Sequence, residues 1–210
     1  MDLYTYYRST SSYRVRIALA LKGLEVDAVP VNLIRDGGEH RKAGYLAINP
    51  QGRVPALRLD GGEVIIQSMA IIEYLEERFP QPALLPTDLL ARARHREVAA
   101  LIGCHIHPLH NVAVLNRLRG LGHDEGNVTA WIGHWISQGF TAVEALIGDK
   151  GFCFGEVGLA DAYLLPQLYA ARRFNVDLSA FPRICRVERL TLEHPAFKKA
   201  HPDAQSDKPE

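Results

Sequence analysis

The chain carries no excess charge of either sign: 24 Lys and Arg residues face 24 Asp and Glu residues over 210 positions. It therefore lacks the basic surplus that neutralises phosphates, and nucleic acid is not an expected partner. Cysteine is scarce, with Cys104, Cys153 and Cys185 odd in number and widely spaced. That pattern excludes a disulfide framework and suits a reducing, cytoplasmic compartment. No uninterrupted apolar run is long enough to span a bilayer, so no membrane is expected as a partner. The N-terminus enters a tyrosine-rich segment without the basic-then-apolar order of a signal peptide, so none is expected. Repeats and low-complexity blocks are absent too. What is present is an ordinary globular composition, 47% hydrophobic and 23% charged, long enough for one large or two small domains.

Periodicity along the first eighty residues predicts the order β-α-β-α-β-β-α. A strand leads into a helix over 14–22 that stops at Gly23, followed by a strand over 26–33, placed parallel to the first by the crossover length. A helix over 39–47, strands over 54–59 and 64–66, and a helix over 69–79 capped by Ser68 complete the set. Pro80, Pro82 and Pro86 then mark a linker. Beyond it strand signals vanish, and helices are expected over 91–118 with a break at Pro108, over 127–146, 159–173 and 191–201. The polar residues 203–210 are expected to be disordered. The fold class is thus α/β plus all-α, with an α/β domain over 1–82 and an all-helical domain over 88–202.

Between the first strand and first helix stand four hydroxyl residues, Ser9, Thr10, Ser11 and Ser12. Such residues cap a helix start by accepting hydrogen bonds from its orphan N–H groups. The same helix start stabilises an anion, a thiolate included. Two more segments should converge with it, the strand entry Val54-Pro55 and the helix entry Gln67-Ser68. An extended ligand backbone can pair beside Val54-Pro55 in the manner of strand addition, and a carboxylate can rest on the helix start at Gln67-Ser68. A short peptide with a terminal carboxylate and a central cysteine fits all three, which points to glutathione.

The segments from Arg8 to Leu19, Asn49-Pro50, Val54-Pro55, Gln67-Ser68 with Ala70 to Leu75, Leu164 to Gln167, and Arg173-Phe174 resemble the zeta-class glutathione transferases. Within that class the resemblance is to the maleylacetoacetate isomerases and the related bacterial maleylpyruvate isomerases, and it covers almost the whole chain. It implies a thioredoxin-like N-terminal domain, a helical C-terminal domain, glutathione as cofactor, a small diketo-acid substrate and a homodimer. Ser9, Thr10 and Ser11, where the family usually has Ser-Ser-Cys, would steady the glutathione thiolate. Val54 would pair through its backbone with the cysteinyl part, and Gln67 and Ser68 would hold the γ-glutamyl end. His40, His107 and Asn111 fall at further glutathione contacts, His40 and His107 where glutamine is common. Arg8 and Arg173 would hold substrate carboxylates and enolic oxygens, a task suited to the fixed donor fork of arginine. Dehalogenation or substitution of small α-halo acids is the alternative chemistry for the same thiolate, and a non-catalytic binding protein is the alternative class.

The remaining candidates read as structure. The cysteine and histidines of residues 104–110 do not share one helical face, so no metal site is expected. Tyr6 and Tyr7 are expected in sheet packing, and Arg14, Arg16 and Lys22 on a solvated or dimer-facing helix surface. Cys153, in an apolar run, is expected to be an inert buried thiol.

Overall fold

The computed structural model describes residues 1–209, and Glu210 lies outside the described residues. The chain divides into two compact units, Met1–Leu84 with His194–Glu210, and Leu85–Glu193. The division departs from the expected second domain over 88–202, because the end of the chain packs with the first unit.

In the first unit, strand β1 (Asp2–Thr5), helix α1 (Thr10–Leu21), strand β2 (Asp27–Pro30), short helix α2 (Ala43–Leu46), strands β3 (Ala56–Arg58) and β4 (Val64–Ile66) and helix α3 (Ser68–Arg78) follow one another. The sheet order is β2-β1-β3-β4, with β1 parallel to β2 and antiparallel to β3, and β3 antiparallel to β4. The expected helix over 39–47 is interrupted, a 3-10 turn at Glu39–Arg41 preceding α2. Helix α1 packs against both α3 and the last helix, α9 (Pro195–Ala200). Its residues from Ser12 to Leu19 are therefore all buried.

That packing overturns one expectation. Arg14, Arg16 and Lys22 are buried within the first unit rather than solvated or dimer-facing, Arg16 against the end of α9 and Lys22 against α3 and the chain after it. Lys22 Nζ lies 2.6 Å from Glu76 and donates to the carbonyls of Phe79 at 2.7 Å and Pro82 at 3.0 Å. Glu76 in turn accepts from Leu84 N–H at 3.0 Å. The ammonium thus fastens the end of α3 and the chain after it with its charge fully compensated. Removing one member of such a pair leaves a buried ion without its counter-charge, which costs about 3–5 kcal/mol. Glu76→Ala is expected to lower the unfolding free energy by that amount, read as a lowered urea midpoint, and a loss below about 1 kcal/mol would contradict it.

The second unit holds helices α4 (Leu89–Ala100), α5 (Val112–Gly120), α6 (Glu125–Leu146), α7 (Leu159–Arg173) and α8 (Pro182–Glu193). Between α4 and α5 the chain widens into a π turn at Leu101–Ile106 and tightens into a 3-10 turn at His107–His110, which realises the break expected at Pro108. The stretch Leu89–Gly120 has the length and mean hydropathy of a membrane span on composition alone, but Glu97, His105, His107, Pro108 and His110 interrupt it, so it is not an uninterrupted apolar run. It is divided by these two turns, and core helices satisfy the same criterion. Helix α7 is buried along most of its length, as its apolar sequence implies. At its start the buried Asp161 accepts N–H bonds from Cys153 at 2.8 Å and Gly158 at 2.9 Å. Burial pushes the Asp161 carboxyl up, and these hydrogen bonds oppose that rise. Cys153 is buried as expected, with its thiol pushed well up by the same desolvation.

The tail expected to be disordered is instead placed. Residues Pro202–Ala204 form a 3-10 turn, Lys208 pairs with Asp203 at 2.7 Å, and Asp207 accepts from Tyr7 N–H at 2.8 Å.

Candidate functional site

The β1–α1 connection is a hydrogen-bonded turn. Ser9 N–H donates to Tyr6 O at 3.0 Å, so Tyr7 and Arg8 occupy its two central positions. Ser9 is the N-cap of α1, its Oγ accepting from Ser12 N–H at 3.2 Å, and Thr10 is the first helical residue. The helix thus begins earlier than periodicity suggested. The cap uses the Ser9 oxygen as an acceptor and leaves its O–H hydrogen available as a donor. Helix geometry also leaves the N–H groups of Thr10 and Ser11 without intrahelical acceptors. Ser9 and Ser11 are half-buried, whereas Thr10 and Ser12 are buried. Arg8 is half-buried, with its guanidinium 5.9 Å from the centre of the Tyr7 ring.

The sheet register brings the three expected segments to one end. Tyr4 pairs with Ala56, and continuing that antiparallel register by two residues sets Val54 opposite Tyr6, the first residue of the turn. Ala56 pairs with Ile66, so one further step sets Gln67 opposite Pro55. Val54 and Tyr6 also belong to one buried apolar cluster with Tyr4, Tyr45 and Ala56. The Val54–Pro55 peptide is cis, and both residues precede the first ladder pair of β3, so the main chain at Val54 lies outside the paired strands.

The loop before Val54 is held by its own residues. Tyr45 Oη and Asn49 Nδ2 both donate to Arg53 O at 2.6 Å, and Gln67 Nε2 donates to Gln51 Oε1 at 2.6 Å. Gln67, rather than Ser68, is the N-cap of α3, and it sits at φ +73. Such a conformation in a residue with a Cβ costs on the order of 1–3 kcal/mol and persists where the surroundings enforce it, often at ligand clamps. Ser68, expected as the cap, is the first helical residue and is buried. His40 adjoins the same loop: a Cβ placed on Gly52 would stand 3.1 Å from His40 O. Its ring lies over Gly38, at φ +96, where a Cβ would come within 2.6 Å of Nδ1. Burial, with Arg41 nearby, pulls the imidazole below its ordinary range, so it is neutral at pH 7.

His107, Asn111 and Arg173 belong to the second unit. Asn111 caps α5, its Oδ1 accepting from Ala113 N–H at 3.2 Å. Arg173, exposed at the end of α7, lies with its guanidinium 4.6 Å from the Phe174 ring centre. Phe174 meets His110 edge-on at 6.0 Å, and His110 meets His107 at 5.4 Å. His107 and Arg173, far apart in sequence, are therefore joined through two intervening rings. His110 and Gln167, buried and within hydrogen-bond distance of each other, back this row. In sequence His110 falls in the 104–110 cluster and Gln167 in the Leu164–Gln167 segment, with nothing to show that the two meet. Among the described residues, no three His, Cys, Asp or Glu side chains gather as metal ligands.

A four-stranded mixed sheet flanked by α1 and α3, with a helical unit after it, is the architecture of a glutathione transferase. A family model for the glutathione S-transferase N-terminal domain matches residues 3–83. Maleylacetoacetate isomerase of Pseudomonas aeruginosa is 70% identical over 210 residues, covering 100% of this chain and 99% of that protein. The holo structure of maleyl pyruvate isomerase, a bacterial zeta-class enzyme, superposes with a TM-score of 0.94 at 47% identity, covering 100% of both chains. Maleylacetoacetate isomerase of Anaeromyxobacter dehalogenans, solved with glutathione in its active site, gives a TM-score of 0.89 at 42% identity, covering 99% of this chain and 97% of that one. The chain belongs to the zeta-class glutathione transferases, the family that holds the maleylacetoacetate isomerases.

Proposed function

We propose that the chain is a glutathione-dependent cis–trans isomerase that converts maleylacetoacetate to fumarylacetoacetate in aromatic amino-acid breakdown. The observation that carries this reading is the hydroxyl-lined start of α1, set at the same end of the sheet as the unladdered main chain of Val54 and the start of α3. These residues suit glutathione by the chemistry of their donors. The O–H of Ser9 and Ser11 and the N–H groups of Thr10 and Ser11 stabilise a thiolate. The main chain of Val54 pairs with the cysteinyl residue, and Gln67 and Ser68 receive the γ-glutamyl end. His40, neutral and beside the Val54 loop, and His107 and Asn111 of the second unit are proposed as further contacts. Bound glutathione supplies a thiolate that adds to the conjugated double bond, allows rotation about the resulting single bond, and is expelled unchanged. Arg8 and Arg173 hold the substrate carboxylates and stabilise the negative charge that develops on the carbonyl oxygens.

The choice of maleylacetoacetate follows the 70% identical relative of that name. Maleylpyruvate is the second reading, favoured by the TM-score of 0.94 to an isomerase of that acid. A homodimer and a cytoplasmic location belong to the same proposal. Supporting them are the exposed Leu89 and Leu90 at the start of α4 and the three free cysteines. Turnover of the two acids, measured side by side with glutathione present, tests the assignment. Faster isomerisation of maleylacetoacetate is expected; faster maleylpyruvate would transfer it to the second reading, and turnover of neither would remove it.

A further inference from the structure

The buried Arg16 makes a set of bonds that neither its place on α1 nor the chemistry above explains. Its Nη1 donates to Thr5 Oγ1 at 3.1 Å and to Tyr6 O at 3.3 Å, and its Nη2 to Tyr7 O at 2.8 Å. Its Nε donates to Ala200 O at 3.1 Å, at the end of α9. On the same turn, Tyr7 N–H donates to Asp207 Oδ2 at 2.8 Å, across 200 residues of sequence. The Tyr6–Ser9 turn has one internal bond, from Ser9 N–H to Tyr6 O. The Arg16 guanidinium adds a second donor to Tyr6 O and one to Tyr7 O, and the Asp207 carboxylate takes Tyr7 N–H. The tail is itself fastened. Gln205 Nε2 donates to Lys199 O at 3.1 Å and His201 O at 2.9 Å, Lys199 pairs with Glu25 at 2.6 Å, and His201 packs edge-on against Tyr13 at 5.9 Å.

We propose that Arg16 and Asp207 are positioning residues: they clamp the Tyr6–Ser9 turn from two sides and so fix where the Arg8 guanidinium and the Ser9 hydroxyl point. The C-terminal segment 194–209 then serves a site built at the other end of the chain. This inference rests on the reading that Ser9 and Arg8 serve the glutathione thiolate and the substrate. The two central residues of a turn have four soft dihedrals and only one closing bond to restrain them. A displacement of about 1 Å at a reacting group can cost on the order of a hundredfold in rate. An acceptor on Tyr7 N–H and donors on Tyr6 O and Tyr7 O remove that freedom at the residues next to Arg8 and Ser9. The clamp should therefore govern orientation of the site more than its affinity for glutathione.

The test uses the full-length chain with Asp207→Ala, Asp207→Asn and Arg16→Lys. The readouts are the ultraviolet thiolate absorbance of bound glutathione against pH, and kcat and KM for glutathione. Asp207→Ala is expected to raise the pH midpoint of the bound thiol by about 0.5–1 unit. It should lower kcat about tenfold with KM for glutathione changed less than about twofold. Asp207→Asn keeps an oxygen acceptor for Tyr7 N–H and should restore most of both; Arg16→Lys keeps the charge but cannot span four acceptors, and should follow Asp207→Ala. An unchanged midpoint and kcat in Asp207→Ala would overturn the proposal, as would equal impairment by Asp207→Asn, since a structural charge would then be at work. If the unaltered protein shows no bound thiolate at all, the active-site reading itself fails, and this inference with it.

Discussion

Arg8→Ala is expected to lower isomerase turnover by about 10²–10³-fold while glutathione affinity stays within about threefold. The asymmetry follows from where Arg8 sits. It occupies a central position of the Tyr6–Ser9 turn, one residue before the cap of α1, with its guanidinium half-buried beside the Tyr7 ring. The groups assigned to glutathione, the Val54 main chain, the Gln67–Ser68 start of α3 and the α1 hydroxyls, do not include its side chain. Its donors are instead available to oxygens of the second reactant, where charge grows as the double bond is attacked. An interaction that strengthens only in the transition state lowers kcat without changing ground-state binding. Arg8→Lys should recover part of the loss, since one ammonium keeps the charge but loses the two-pronged geometry. Measured by steady-state kinetics and glutathione titration, equal losses in turnover and affinity would place Arg8 in the cofactor site instead.

Asp161→Ala should destabilise the second unit by about 3–5 kcal/mol, read as a lowered urea midpoint. Both carboxylate oxygens are committed, one to Cys153 N–H and one to Gly158 N–H, at 2.8 and 2.9 Å. The residue is fully buried, so no water takes over when the carboxylate is removed. Each buried N–H left without an acceptor costs about 1–3 kcal/mol, and the helix start loses the carboxylate that holds the Gly158 N–H. The carboxyl is held above its ordinary range by burial. On this group alone stability is therefore full below the unfolded value and declines as pH rises through the raised one. Asp161→Asn, which retains one oxygen acceptor and carries no charge to desolvate, should cost less than half as much at neutral pH. A small effect of Asp161→Ala would mean that the 153–158 loop refolds around the lost acceptor.

The first unit was legible in sequence because its signals are local. β-forming residues mark β1, the Asp60-Gly61-Gly62 turn marks β4, hydroxyls mark the start of α1, and the crossover length fixes β1 and β2 as parallel, which the register bears out. Helix α7 was legible because it is mostly apolar up to Arg172 and Arg173. What escaped was set by distant partners. Arg14, Arg16 and Lys22 read as solvated or dimer-facing because nothing near them in sequence shows that α9 and α3 pack on α1. The tail read as disordered because Asp207 gains its partner, Tyr7 N–H, only on the folded unit, 200 residues away in sequence. Helix α8 was missed although Pro182 stands at its first position, a signal for a helix start. Its buried residues Ile184, Val187 and Thr191 recur at helical spacing against a charged opposite face, so periodicity too marks this helix. The cap of α3 fell one residue early, at Gln67, because a positive φ there gives no trace in the side-chain pattern.

The central claim is that glutathione acts here as a returned catalyst and not as a consumed reactant. The most direct measurement supplies maleylacetoacetate in large excess over a trace of glutathione, then quantifies the trans product and the glutathione remaining. The expected result is many moles of fumarylacetoacetate per mole of glutathione, with the glutathione recovered unmodified and no product in its absence. Glutathione consumed one-for-one as a thioether, or isomerisation at the same rate without it, would contradict the claim.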